Sequence, residues 1–355
     1  MIKAINRDYI EDLSYDNAED FLHDISYGGK FYNIFDSNFI FRGHSTDEYK
    51  LISSVQRTNP YFEKYGYKEE ISKEELFTAN TELLQALNEY QYLEQFFKLC
   101  DESRIFVPEV KMMRETMPWD LKGFTFFLKE QDWLPVELYE IAALAQHHGV
   151  PTRLLDWTQD INIAIYFAIS GAFQRICNPE KLSYYQWFDK FSKRLDSIKQ
   201  HSDMKTIAKE DEARRIEIWA LDKNVALVHL GENPLRIIHP KYHDNGNLGA
   251  QRGLLSFWVI PKPIRKDKEK GIVPNPVWRD QKTLDEHLTE FLLEKEEPSK
   301  PYLYHITFPE TDVQKLYQFI KRNKCDASTL FPDYDGVVRC MQEDIMYNKI
   351  INKQL

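Results

Sequence analysis

The stretch ALAQHHGVPTRLLDWTQDINIAIYFA, residues 143–168, changes its pattern twice. It opens on the end of a helical run that begins at Pro135, a favoured first-turn residue, and stops at Gly149 after His148. From Pro151 to Trp157 the pattern is that of a short strand. Thr152, Asp156 and Thr158 alternate with Leu155 and Trp157, which predicts three polar groups along one surface. From Asp160 to Phe173 the apolar run predicts a buried helix, with Ala164, Ala168 and Ala172 at a fourfold spacing that permits close packing. A plainer role is also open to Asp156 and Thr158, since either suits the cap of that helix. His147 and His148 end the preceding helix, where imidazolium interacts favourably with the C-terminus; side chains adjacent on a helix diverge by about 100°, against joint metal ligation.

Upstream lies FIFRGHSTDEYKLISSV, residues 39–55. Phe39, Ile40 and Phe41 have the character of a buried strand, yet Arg42 follows them and Gly43 follows Arg42. A glycine there lets a ligand or another backbone come close, and His44, Ser45 and Thr46 add hydrogen-bonding groups. Arg42 grips a planar anion with two parallel hydrogen bonds, so the combination suits a phosphate ligand; the alternative is a strand-end arginine paired with a carboxylate. A short helix is expected over 15–27 and a long amphipathic one over 72–100.

Downstream, residues 179–213 are richly charged with aromatics interleaved and predict a helical insertion. Lys181, Tyr184, Tyr185, Trp187, Lys190, Lys193 and Arg194 within it suit a helix docked on its own core or a platform for nucleic acid or a neutralising partner. Strands are expected at Arg215–Leu221, Leu235–His239, Leu254–Ile260 and Tyr302–Phe308, and a loop-rich insertion over 262–300. Helices thus crowd the first half and strands the second, which favours an α+β fold in a single domain over 1–355.

Composition narrows the function classes. A formal charge of −10 removes any global attraction to nucleic acid or an anionic membrane. Cys100, Cys177, Cys325 and Cys340 form no CxxC pair, which argues against a disulfide framework or a zinc knuckle and fits a reducing compartment. No signal-peptide pattern opens the chain, and the longest apolar run, Ile161–Phe173, falls short of the ~20 residues that span a bilayer, so a cytoplasmic protein with no membrane partner is expected.

Two more stretches carry candidate chemistry. In GNLGAQRGLLSFW, residues 246–258, Gln251 sits between Gly249 and Gly253 at the entry to an apolar strand, where the glycines also suit a plain turn. In LFPDYDG, residues 330–336, Asp333 and Asp335 are too few oxygens for a hard cation, and an Asx turn is the simpler expectation. Neither a GxGxxG nor a P-loop is present, and no metal is expected.

FRG at 41–43, ALAQHHGVPTRLLDWT followed by AIYFA, AQRG and LFPDYDG together, in that order, resemble the FRG-domain family across roughly residues 37–336. Asn247 stands where that family commonly has an arginine. More distantly, the order of an aromatic-Arg-Gly strand, a hydroxyl-bearing strand with its helix, and a later loop with an acid or amide is similar to the ADP-ribosyltransferase fold. That resemblance implies a split β core and NAD as substrate. It implies Arg42 on the NAD phosphate and ribose with Gly43 making room, Asp156, Trp157 and Thr158 as the strand supporting the pocket, and Gln251 in the position of the catalytic glutamate, and His44 and Thr152 are expected to line the same pocket. Gln251 cannot act as a general base, which leaves Asp156 as the nearest carboxylate. The expectation is an NAD-dependent ADP-ribosyltransferase acting on a protein or nucleic acid, as an intracellular toxin or anti-phage defence effector with a neutralising antitoxin partner. The alternatives are a nucleotide- or nucleic-acid-binding regulatory module without turnover, and a metal-dependent hydrolase built on His147, His148, Asp156, Asp333 and Asp335.

Overall fold

A computed structural model describes residues 2–35, 37–57, 81–114, 132–177, 214–241, 246–259 and 282–354. Its centre is one eight-stranded sheet in the order β1-β2-β8-β5-β3-β4-β7-β6. The strands are β1 (Ile2–Arg7), β2 (Ile10–Tyr15), β3 (Phe39–His44), β4 (Leu155–Thr158), β5 (Arg215–Asp222), β6 (Leu235–Ile238), β7 (Gly253–Trp258) and β8 (Leu303–Pro309). Only β2 and β8 run parallel; every other pair is antiparallel.

The α+β class holds, but not the expected segregation of helices and strands. β1 and β2 open the chain, and long helices close it. The expected split core is instead one continuous sheet, although β3 and β4 touch through a single pair, Phe41 with Thr158. Beyond that pair Arg42, Gly43 and His44 continue along β5 with no β4 partner. The site lies in that parting of the strands.

Alternation along the strands builds two different faces. Phe39, Phe41, Ile216, Ile218, Ala220, Tyr304, Ile306 and Phe308 join a core with α5 (Ile161–Cys177), α8 (Val313–Arg322) and α10 (Tyr334–Gln354). Beside it Leu255 and Phe257 of β7 pack with α2 (Thr81–Glu102) and α4 (Tyr139–His147). Ile40, Leu155, Trp157, Trp219, Leu221 and Leu303 join another core with α7 (Leu284–Glu294). Each side chain buried in this way stabilises the fold by about 1.5–3 kcal/mol, so a one-residue slip of β3 would be heavily penalised.

Several boundaries differ from expectation for identifiable reasons. Residues 136–138 form a 3₁₀ turn before α4 (139–147), and Gly149 stops the helix at φ 87°. Only Leu155–Thr158 of the expected strand pairs, because Pro151 has no N–H to donate and Thr152 and Arg153 are engaged elsewhere. Within 262–300 the expected loop gives way to α7, started by a capping box in which Thr283 accepts from Glu286 N and Glu286 accepts from Thr283 N. Gly246–Ala250 form a short helix, α6, where a turn was expected. The remaining helices are α1 (Ala18–Ile25), capped by Asn17, α3 (Lys111–Arg114) and α9 (Ala327–Leu330). The 179–213 insertion, residues 72–80 of the long helix and the 262–281 part of the second insertion lie outside the described residues.

Candidate functional site

Where β3 parts from β4, the Arg42 side chain spans the gap. Its Nη1 donates to the backbone carbonyl of Asp156 at 2.7 Å, supplying a hydrogen bond to a strand that β3 no longer pairs. Its Nε donates to His44 Nε2 at 2.8 Å, and the Asp156 carboxylate lies 3.6 Å from Nη1. Arg42 is 16% exposed and Asp156 66%, so the cation is anchored in the floor while its nearest acid stands at the rim. Among the described residues Nη2 has no protein acceptor, which leaves one edge of the guanidinium for an anion.

Arg42 lines a cleft of about 480 Å³, within the usual range for a small-molecule site. Lys50 and Arg57 join Arg42 as its basic residues, Asp156 is its acid among the described residues, and Tyr49 and Trp157 offer aromatic faces. Burial pulls the Arg42 pKa below its ordinary value, and Arg57 adds to the shift against the attraction of Asp156. A buried guanidinium with a second cation nearby and a single exposed carboxylate favours a multiply charged anion.

Gly43 lends backbone to the cleft, but its missing side chain serves the fold. A Cβ there would lie 1.9 Å from the carbonyl oxygen of Ala164, so the space is filled by α5 and not by a ligand. Ala164 and Ala168 are small for the same close approach. The Arg42–Gly43 pair is therefore divided between the two faces of β3.

The polar residues of the TRLLDWT segment do not converge on one surface. Thr158 lines the cleft, accepts from Asp160 N and donates to the Gln251 carbonyl, but the cap of α5 expected of Asp156 or Thr158 is Asp160, whose Oδ1 accepts from Asn162 N at 3.0 Å. Trp157 lines the cleft while its indole donates to Ser256. Thr152 stands outside the cleft: its hydroxyl donates to Gln146 Oε1, and Gln146 Nε2 donates to Asp156 Oδ1 at 2.6 Å. Gln146 thus steadies the rim carboxylate through Thr152. Gln251 lines the cleft, but its Nε2 donates to the Leu330 carbonyl at 3.2 Å, tying α6 to the LFPDYDG segment. In that segment Asp333 accepts from Gly336 N at 2.7 Å and caps the start of α10, where an Asx turn was expected.

Arg153, buried within the same segment, belongs to a closed cluster. Its Nε and Nη2 donate to the two oxygens of Glu89 at 2.7 and 2.8 Å, and its Nη1 donates to the Trp258 carbonyl. Trp133 Nε1 also donates to Glu89. His147 and His148 pack edge to face, 5.1 Å between ring centres, away from the cleft lining, and burial pulls the His147 pKa down. Among the described residues no group of three His, Cys, Asp or Glu could hold a metal, and no helix is long and apolar enough to cross a membrane.

Sequence reasoning missed Tyr49, Lys50 and Arg57 of the cleft, and behind it Glu217, His305 and Asp12. His44 Nδ1 donates to Glu217 Oε1 at 2.5 Å; His305 meets Glu217 Oε2 at 2.7 Å and Asp12 at 3.0 Å. For His305 burial opposes charging, but its bonds to Asp12 and Glu217 prevail and raise the pKa to about 9. For Glu217 burial acts upward and is outweighed by the bonds from His305 and His44, which hold it below the usual carboxylate range. Burial draws the His44 pKa below its ordinary value, against the pull of Glu217.

Residues 37–175, which contain β3, β4 and most of α5, match the family model described as the FRG domain. No curated protein and no solved structure matches the chain.

Proposed function

We propose, from the cleft's geometry and its place within the segment 37–175 that matches the FRG-domain model, that the cleft binds NAD and that the protein transfers ADP-ribose from it to a macromolecular acceptor. The observation that carries this reading is the open edge of the buried Arg42 guanidinium in a basic, aromatic-sided cleft. Arg42 grips a phosphate oxygen pair, Lys50 and Arg57 take the remaining pyrophosphate charge, and Trp157 or Tyr49 offers a face for the nicotinamide. The nicotinamide–ribose bond breaks with its electron pair leaving on nicotinamide. The cationic ribose beside the Asp156 carboxylate is captured by an acceptor nucleophile, whose proton passes to Asp156 or to water. The acceptor is a protein or a nucleic acid, and such an activity inside a cell is that of a toxin or defence effector held in check by a neutralising partner.

A second reading is a nucleotide-binding module without turnover. It is favoured by Gln251, a neutral amide already bonded to the Leu330 carbonyl. Incubation with NAD and cell lysate separates the two. The transferase reading expects free nicotinamide and a labelled macromolecule, both lost in Asp156→Asn. The module reading expects NAD to raise the melting temperature with no nicotinamide released. Neither release nor a melting shift overturns both.

A further inference from the structure

The sheet register sets Asp12 opposite His305, His305 opposite Trp219, Trp219 opposite Arg42, and Glu217 opposite His44. All lie at positions of matching parity on β2, β8, β5 and β3, so they share the face on which Arg42 lies. From this row we infer that Glu217 is the positioning residue of the anion site, fixing the His44 tautomer and through it the direction of the Arg42 guanidinium.

The argument is one of donors and acceptors. Arg42 Nε can only donate, so His44 Nε2, 2.8 Å away, must carry a lone pair. The single proton of neutral His44 is then on Nδ1, where Glu217 Oε1 accepts it at 2.5 Å. Glu217 is 1% exposed and could not remain a carboxylate unaided. Trp219 Nε1 donates to its Oε1 at 3.0 Å, and charged His305 donates to Oε2 at 2.7 Å and to Asp12 at 3.0 Å, its ring stacked on Trp219 with centres 4.2 Å apart. Every bond therefore has one permitted direction, from Arg42 through His44 to Glu217, and from His305 outward to Glu217 and Asp12. A proton on His44 Nε2 would set two donors against each other at 2.8 Å and drive Arg42 from its place.

The inference rests on the cleft's being an anion site, as the NAD reading also requires, and not on any reaction of NAD. Inorganic pyrophosphate is therefore the probe, titrated into the full chain beside ¹⁵N spectra of the histidine rings recorded without ligand. In wild type His44 shows the Nδ1–H tautomer and pyrophosphate binding saturates. In Glu217→Leu, which leaves His44 Nδ1–H and Trp219 Nε1–H without their acceptor, the same signal moves toward Nε2–H and affinity falls tenfold or more. Unchanged affinity, or loss of affinity with the His44 tautomer intact, overturns the role assigned to Glu217. If Glu217→Leu fails to fold, two His44 variants decide. His44→Gln, whose amide oxygen can accept from Arg42 while its NH₂ donates to Glu217, keeps affinity within a few-fold, and His44→Leu loses it. Equal affinity in the two is the contrary result. Pyrophosphate binding that depends on Glu217 while NAD is left intact would sink the transferase reading and leave this one standing.

Discussion

Two buried arginines can be compared directly, Arg42 beside the cleft and Arg153 beneath β4. Both are largely buried, and both have a carboxylate within reach. Arg153 is closed: Glu89 takes two of its nitrogens and the Trp258 carbonyl the third, while Trp133 and Gln85 occupy the rest of Glu89. Arg42 is held through Nε and Nη1, has a distant, exposed acid, and opens onto the cleft. A buried cation whose three nitrogens all bond to protein fixes a fold. One with donors left over toward a cavity is placed to bind.

The largest test of this contrast is Glu89→Ala, which strands Arg153 in the core. It is expected to cost about 3–5 kcal/mol in denaturant unfolding while leaving the anion site intact in the folded fraction. Next is the pH dependence of the row behind Arg42. The folded pKa of His305 is raised to about 9 from an ordinary 6.5, so its contribution is fully present below 6.5 and is lost as pH rises through 9. That difference corresponds to about 3 kcal/mol. Melting curves should therefore fall between these limits in wild type and stay flat there in His305→Gln. Glu217, with its pKa lowered, contributes at the acid end, where stability declines only once pH drops below the usual carboxylate range.

Arg42→Ala removes charged hydrogen bonds to an anion worth about 1.5–3 kcal/mol, a 10- to 100-fold loss of affinity by titration, with a smaller loss of stability than Glu89→Ala. The smallest effect expected is that of Thr283→Ala, which removes the cap of α7 at about 1 kcal/mol and leaves ligand affinity unchanged. Equal effects of Glu89→Ala and Arg42→Ala on stability and on binding would erase the distinction between the two arginines.

The cleft was partly legible in the sequence. Arg42 stood out because a guanidinium ends an apolar strand, and α5 was plain from its apolar run with small residues. Gly43 was recognised as a close approach but assigned to a ligand, since sequence order does not say which face of β3 the missing Cβ serves. Arg153 was passed over because the polar alternation of its neighbours drew attention away from it, and Glu89 lies 64 residues away. The row behind Arg42 had a faint signal: Glu217 lies between Ile216 and Ile218, and His305 between Tyr304 and Ile306, each an ionisable group in the interior of a mainly apolar strand. Their pairing depends on β5 lying between β3 and β8, an order the sequence does not contain. Lys50 and Arg57 lie on a chain segment without regular structure, where no periodicity marks a direction.

The most direct test of the central claim is calorimetric titration of NAD into wild type and Arg42→Gln, each first shown to melt cooperatively. The account predicts saturable binding in wild type that falls at least tenfold in Arg42→Gln. Undiminished binding in that variant, or no binding to either protein, would contradict it.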